Sequence, residues 1–196
     1  MFNRVTPEGF FADARGSLDW AVPDDAIDGS AVAAMPDGDA VIFGRRTYEM
    51  FASFWPQVLA SSAPVPDPHA PGRVSPAMRA MAQWLHDATK YVCSRTLDDA
   101  TWHDSHLVRE LDADAVARIR ATPGRTIMIF GSGEIVRRLT TLGAIDEYQL
   151  ILTPRLLGRG RPLFGNDDTA CRLTLLEARG MPSGNVMLRY GTAPEG

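Results

Sequence analysis

Residues 126–130, TIMIF, are too short for a helix and rich in β-branched and aromatic side chains, as a buried strand would be. They run directly into Gly131, Ser132 and Gly133, and then into a stretch with Ile135, Val136, Leu139 and Leu142 at helical spacing. Strand, glycine turn and amphipathic helix together make half of a β-α-β unit. Such units are satisfied only in a parallel sheet with right-handed crossovers and helices on its faces. The same order recurs upstream. Residues 40–43, AVIF, end in Gly44 and lead into a segment with Tyr48, Phe51 and Trp55 on one helical face. Residues 91–93, 107–108 and 148–153 read as further strands, and Val5 and Thr6 close a first one. Residues 24–35, 76–86 and 113–121 read as helices, the first entered through Pro23. Six prolines and a glycine across residues 56–76 predict an irregular inserted loop. Residues 173–179 and 185–190 flank the turn GMPSG and predict an antiparallel hairpin. The expectation is one α/β domain over residues 1–196, without repeats or linkers.

Composition narrows the function classes. The formal net charge of −4 lacks the basic excess of a general nucleic-acid or membrane surface. No apolar run approaches the roughly 20 residues of a membrane span, and the start, MFNRVTPEGFF, has no signal-peptide core. Cys93 and Cys171 are too isolated for a disulfide framework, so the cytoplasm is the expected compartment. His103 and His106 lack a third ligand in sequence, and no metal is expected.

Three strand ends carry residues suited to phosphate. At the first, Gly44 turns the chain and Arg45, Arg46 and Thr47 open a helix, whose N-terminus offers free N–H groups and a positive dipole. Cations are disfavoured at such a position unless an anion joins them, so either a solvated pair of arginines or an anion site stands there. At the second, Gly131, Ser132 and Gly133 precede Glu134 and Ile135. This is not the dinucleotide fingerprint, since Val136 occupies the third glycine's place and no acidic ribose partner follows about 20 residues on. At the third, Ser94 and Arg95 follow a strand. Ligands of open parallel sheets bind at the carboxyl ends of strands, and arginine without an acidic ribose partner favours a 2′-phosphate over a free hydroxyl. NADPH is the expected cofactor.

The segments VIFGRRTYE, VCSRTL, IMIFGSGEIV and LTPRLLGRGRPLFG, in this order along nearly the whole chain, resemble the dihydrofolate-reductase-like family. That family also contains the C-terminal reductase domain of riboflavin biosynthesis. The resemblance is closest to its broad bacterial group of dihydrofolate reductase family proteins. It implies a mostly parallel sheet of about eight strands with flanking helices, NADPH as hydride donor, a small-molecule substrate and a homodimer. By motif, Gly44, Arg45, Arg46 and Thr47 would hold cofactor phosphates, and Ser94 and Arg95 would lie by the adenosine ribose phosphate. Gly131, Ser132, Gly133, Glu134 and Ile135 would cradle the pyrophosphate.

The stretch from Trp20 through Pro23 to Asp25 resembles the segment whose carboxylate anchors and helps protonate the pterin in true dihydrofolate reductases. The resemblance therefore marks Asp25 as catalytic, with Trp20 and Thr153 near it. Helix capping is the competing role for Asp24 or Asp25. Gly29 stands where a large apolar group would face a pteridine, and no arginine lies between Ala80 and Ser94 to anchor a folate glutamate. The first-strand lysine of the riboflavin-pathway enzymes is also absent, and Met1 already stands where the first strand should run, which suggests a start upstream. The reading is an NADPH-dependent reductase of a heterocyclic or related C=N or C=C bond. A nucleotide-binding module without turnover and a 5-amino-6-(5-phosphoribosylamino)uracil reductase are the alternatives.

Overall fold

The computed structural model describes residues 1–33, 40–63, 65, 75–124, 126–165 and 171–192. The chain forms two compact units, one of Met1–Asp24 with Gly131–Gly196 and one of Asp25–Phe130.

The second unit is built on β3 (Ala40–Gly44), β4 (Thr89–Cys93), β5 (Ser105–Val108) and β6 (Ile127–Ile129), in the order β5-β4-β3-β6. All three ladders are parallel: α2 (Arg45–Ala60) and α3 (Pro76–Asp87) make the crossover from β3 to β4 and α4 (Ala113–Arg120) lies between β5 and β6, while β4 reaches β5 through a loop alone. Every residue of β3 is buried, which explains its unbroken apolar run. The Phe43 ring lies 5.0 Å from that of Phe51, and Phe51 lies 5.8 Å from Phe130, so α2 is fixed to the strands by aromatic packing. Helix α1 (Asp25–Ala33) covers the first part of the predicted helix, and residues 34–35 lie outside the described residues.

The expected loop from residue 56 begins later. Helix α2 continues through Pro56 to Ala60. A proline there removes one helical N–H donor, a cost of about 3 kcal/mol. The last turn offsets it by burying Val58 against Met78 and Ala82, with Trp55 and Leu59 packed around them.

Lys90, the only lysine, is fully buried in β4. Its Nζ donates to the carbonyls of Ala88 at 2.5 Å and His86 at 3.1 Å, and lies 5.0 Å from the Trp102 ring centroid. Burial pushes its ammonium down to about 8. It closes the carboxyl end of α3, at the opposite end of β4 from Ser94.

In the first unit, β1 (Phe2–Val5), β7 (Glu147–Leu152), β10 (Val186–Thr192) and β9 (Leu173–Gly180) form a mixed sheet in the order β1-β7-β10-β9. Strand β1 runs parallel to β7; β10 runs antiparallel to both β7 and β9. Helix α5 (Gly133–Thr141) buries Ile135, Val136 and Leu139, and its Thr140 hydroxyl meets the Tyr148 hydroxyl at 2.9 Å. Arg189 of β10 bridges Glu147 at 2.8 Å and Glu177 at 3.3 Å across the sheet. Its guanidinium holds the Glu147 carboxyl below the usual carboxylate range.

Two strands had no signal in the sequence. Strand β2 (Phe10–Asp13) pairs antiparallel with β8 (Gly160–Pro162), three residues without apolar alternation. Gly160 permits this pairing, since a Cβ there would lie 2.6 Å from the Ala12 carbonyl oxygen. Among the described residues the strands therefore form groups of four, two and four, instead of one sheet of about eight. The edge strands are β1 and β9 in the mixed sheet and β5 and β6 in the parallel one. No helix among the described residues is long and apolar enough to cross a membrane.

Candidate active site

Parallel pairing sets Gly44 opposite Cys93, so the carboxyl ends of β3 and β4 lie side by side. Helix α2 starts at once with Arg45. Its N-cap is Gly44, which supplies no side-chain cap, and its first turn holds no acidic residue. The first N–H groups of a 16-residue helix are thus left without an acceptor from its own cap, and Arg45 and Arg46 stand exposed beside them. An anion is the partner that reconciles two cations with the positive end of a helix.

The loop after β4 meets this helix start. The Arg45 Nη1 donates to the Thr96 hydroxyl at 3.2 Å, and its Nε lies 3.8 Å from Glu49. Ser94 is buried, and its hydroxyl accepts the amides of Thr96 and Leu97 at 3.2 and 2.9 Å. It shapes the loop from within. Arg95 is exposed, whereas Thr47 is buried at the base of α2. Arg109 was not marked by any motif, yet its guanidinium takes three carbonyls of the same loop: Leu97 at 2.6 Å, Ser94 at 3.3 Å and Asp98 at 3.5 Å. An arginine one residue beyond a strand end was its only trace in the sequence. Cys93, at the end of β4, is held protonated, since burial pushes its thiol up to about 12.

The first unit carries the other glycine joint. Gly131 and Ser132 both adopt left-handed backbone, with φ of 58° and 51°, and Ser132 is the N-cap of α5 without a side-chain cap bond. A non-glycine residue in this region costs on the order of 1–3 kcal/mol, and such strain gathers at ligand sites. Gly133 has a different reason: a Cβ there would lie 2.6 Å from Phe11 Cε1. Packing against Phe11 leaves no room for a side chain at this position. Glu134 is exposed and Ile135 is buried, so Ile135 can offer a ligand only its backbone.

The substrate-side residues fall into different units. Asp25 is the exposed first residue of α1 in the second unit. Trp20 and Thr153 belong to the first. Trp20 is buried and its indole donates to the Ser17 carbonyl at 3.1 Å. The Asp24 carboxylate accepts the Ser183 hydroxyl. Asn185, fully buried, donates its amide to the Val22 carbonyl and the Ser183 hydroxyl, both at 3.0 Å. Segment 20–24 is thereby tied to the turn before β10. Thr153 is fully buried at the carboxyl end of β7, and its Oγ1 has no hydrogen-bond partner among the described residues; the same holds for Asn185 Oδ1.

A buried hydroxyl without a partner weakens the protein that keeps it. Thr153→Val is therefore expected to raise stability by about 1 kcal/mol in urea denaturation. A loss of stability would show that the hydroxyl already has a structural partner.

Among the described residues no group of three His, Cys, Asp or Glu side chains is placed to hold a metal. The His106 ring lies 2.9 Å from Asp104, and the His86 and His103 rings stack at 4.6 Å.

The chain is 24% identical over 186 residues to the uncharacterized protein YyaP of Bacillus subtilis (strain 168), covering 95% of this chain and 90% of YyaP. Among solved structures, a Shewanella sp. PV-4 protein named for riboflavin biosynthesis superposes with a TM-score of 0.72 at 22% identity, covering 98% of this chain and 97% of that one. The dihydrofolate reductase of Enterococcus faecalis, complexed with NADP(H), superposes with a TM-score of 0.60 at 13% identity, over 97% of this chain and 94% of that one. At these identities the superpositions establish the α/β dihydrofolate-reductase-like fold. The profile of the RibD C-terminal domain matches residues 4–187, nearly the whole chain, and the protein belongs to that family.

Proposed function

We propose that this protein is an NADPH-dependent reductase that delivers hydride to a C=N or C=C bond of a small heterocyclic or related substrate. The observation that carries the reading is the start of α2: an uncapped helix N-terminus with Arg45 and Arg46, joined through Thr96 to the loop after β4. These groups suit a nucleotide phosphate. The uncapped, strained start of α5 at Gly131 and Ser132 suits another. Family membership supports the reductase class, and the reductase neighbour complexed with NADP(H) supports the cofactor. When bound, NADPH supplies the hydride. The chain's own task is to hold the phosphates, orient the substrate and provide a proton, the last a role we assign to Asp25.

Wild-type protein titrated with NADPH and with NADH, followed by tryptophan fluorescence, tests the cofactor assignment. NADPH is expected to bind at least tenfold more tightly. Equal affinities would remove the 2′-phosphate from the reading.

The proposal extends to a homodimer. Strand β9 is a sheet edge, and its Leu175 and Leu176 are more than half exposed, at 54% and 55%. Sedimentation should report twice the 21.4 kDa chain mass. A monomer at micromolar concentration would end this part of the proposal.

A further inference from the structure

The loop after β4 is held from two sides. Inside it, Ser94 Oγ accepts the amides of Thr96 and Leu97. The Ser94 amide donates to the Val108 carbonyl at 3.1 Å, anchoring the loop's first residue to the end of β5. Outside it, Arg109 gathers the carbonyls of Ser94, Leu97 and Asp98 onto one guanidinium. No motif or role considered above includes this residue.

The electrostatics give the arrangement a purpose. Carbonyl oxygens are the negative ends of peptide dipoles, and three of them near a phosphate would repel it. A guanidinium that binds all three neutralises that repulsion and places a full positive charge behind the loop. The planar fork of arginine spreads its donors over separate acceptors, which the single ammonium of lysine does less well. The loop so fixed carries Arg95 and presents the Thr96 hydroxyl, which in turn holds Arg45.

We propose that Arg109 is the positioning residue of this anion loop: by binding the carbonyls of Ser94, Leu97 and Asp98 it fixes Thr96 and Arg45 to receive the ribose phosphate of a nucleotide. The ligand class is an adenosine nucleotide with a phosphate monoester on its ribose. The assignment rests on the cofactor reading above.

Two variants and two readouts test it. Arg109→Met keeps the unbranched stem and removes the charged fork; Arg109→Lys keeps the charge and loses the fork. Amide hydrogen exchange in the absence of any nucleotide reads the loop directly. In both variants exchange at Thr96 and Leu97 should quicken at least tenfold, while the amides of β3 and β4 stay protected. Fluorescence titration should then show NADPH affinity reduced about tenfold in Arg109→Met, with NADH affinity unchanged. Arg109→Lys should recover only part of that loss.

Unchanged exchange at Thr96 and Leu97 overturns the positioning role, whatever the cofactor results. Full recovery by lysine also overturns it, because charge alone would then suffice. If exchange quickens but wild type binds NADPH and NADH equally, the phosphate role fails together with the cofactor reading. If wild type prefers NADPH and Arg109→Met prefers it equally, the cofactor reading survives and Arg109 is excluded. Should Arg109→Met expose the β3 and β4 amides through unfolding, the same two readouts on Arg109→Lys decide the matter.

Discussion

Asp25→Asn is expected to slow NADPH oxidation by about 10²–10⁴-fold while leaving NADPH affinity unchanged. Reducing a C=N bond needs a hydride on carbon and a proton on nitrogen, and asparagine can neither deliver that proton nor stabilise a protonated ring. The structure separates Asp25 from its neighbour. Asp24 has its carboxylate on the Ser183 hydroxyl, within the network that joins segment 20–24 to the turn before β10. Asp25 is exposed at the first position of α1. Asparagine caps helices about as well as aspartate, so a capping role forecasts almost no change in the same substitution. The assay is NADPH oxidation at 340 nm with a panel of pterins, dihydrofolate and aminopyrimidines. Turnover equal to wild type would return Asp25 to capping. A panel that wild type does not reduce, despite binding NADPH, would favour a nucleotide-binding module.

Arg45→Ala should weaken NADPH binding by roughly 10- to 150-fold, the loss of one charge-assisted contact of about 1.5–3 kcal/mol. NADH, which lacks the 2′-phosphate, should lose much less. The effect should shrink as salt is added, because Arg45 is 43% exposed and its field is screened there. Arg45→Lys tests the shape of the site: it keeps the charge but not the fork that reaches Thr96 at 3.2 Å. If Arg45→Ala binds both cofactors as wild type does, the phosphate lies elsewhere, and Arg46 and Arg95 become the next candidates.

The alternation of strand and helix was legible because its signals are local. AVIF before Gly44, TIMIF before Gly131, and the helical spacing of Ile135, Val136 and Leu139 each need only a few neighbouring residues. The starts of α2 and α5 follow for the same reason, and with them the positions of Arg45 and Ser132. Pro56 misled as a local signal. Its cost to α2 was outweighed by Val58 packing on Met78 and Ala82, residues 20 or more positions away that no window around Pro56 contains.

What the tertiary structure alone decided concerns partners without a side-chain signature. Strands β2 and β8 are defined by backbone pairing across nearly 150 residues, and GRP has no pattern to announce it. The closeness of Phe11 to Gly133, which excludes a side chain there, has no trace in the letters around it. Arg109 binds carbonyl oxygens, which every residue carries alike, so its targets are chosen by the loop's path and not by its letters. The sequence by itself determined where strands hand over to helices and which charged residues stand at those joints, since short-range periodicity and backbone permissiveness are properties of neighbours in the chain. Register, the burial of Thr153 and the clasp of Arg109 arise only when distant segments meet, because hydrogen bonding and burial are settled by what lies across the fold.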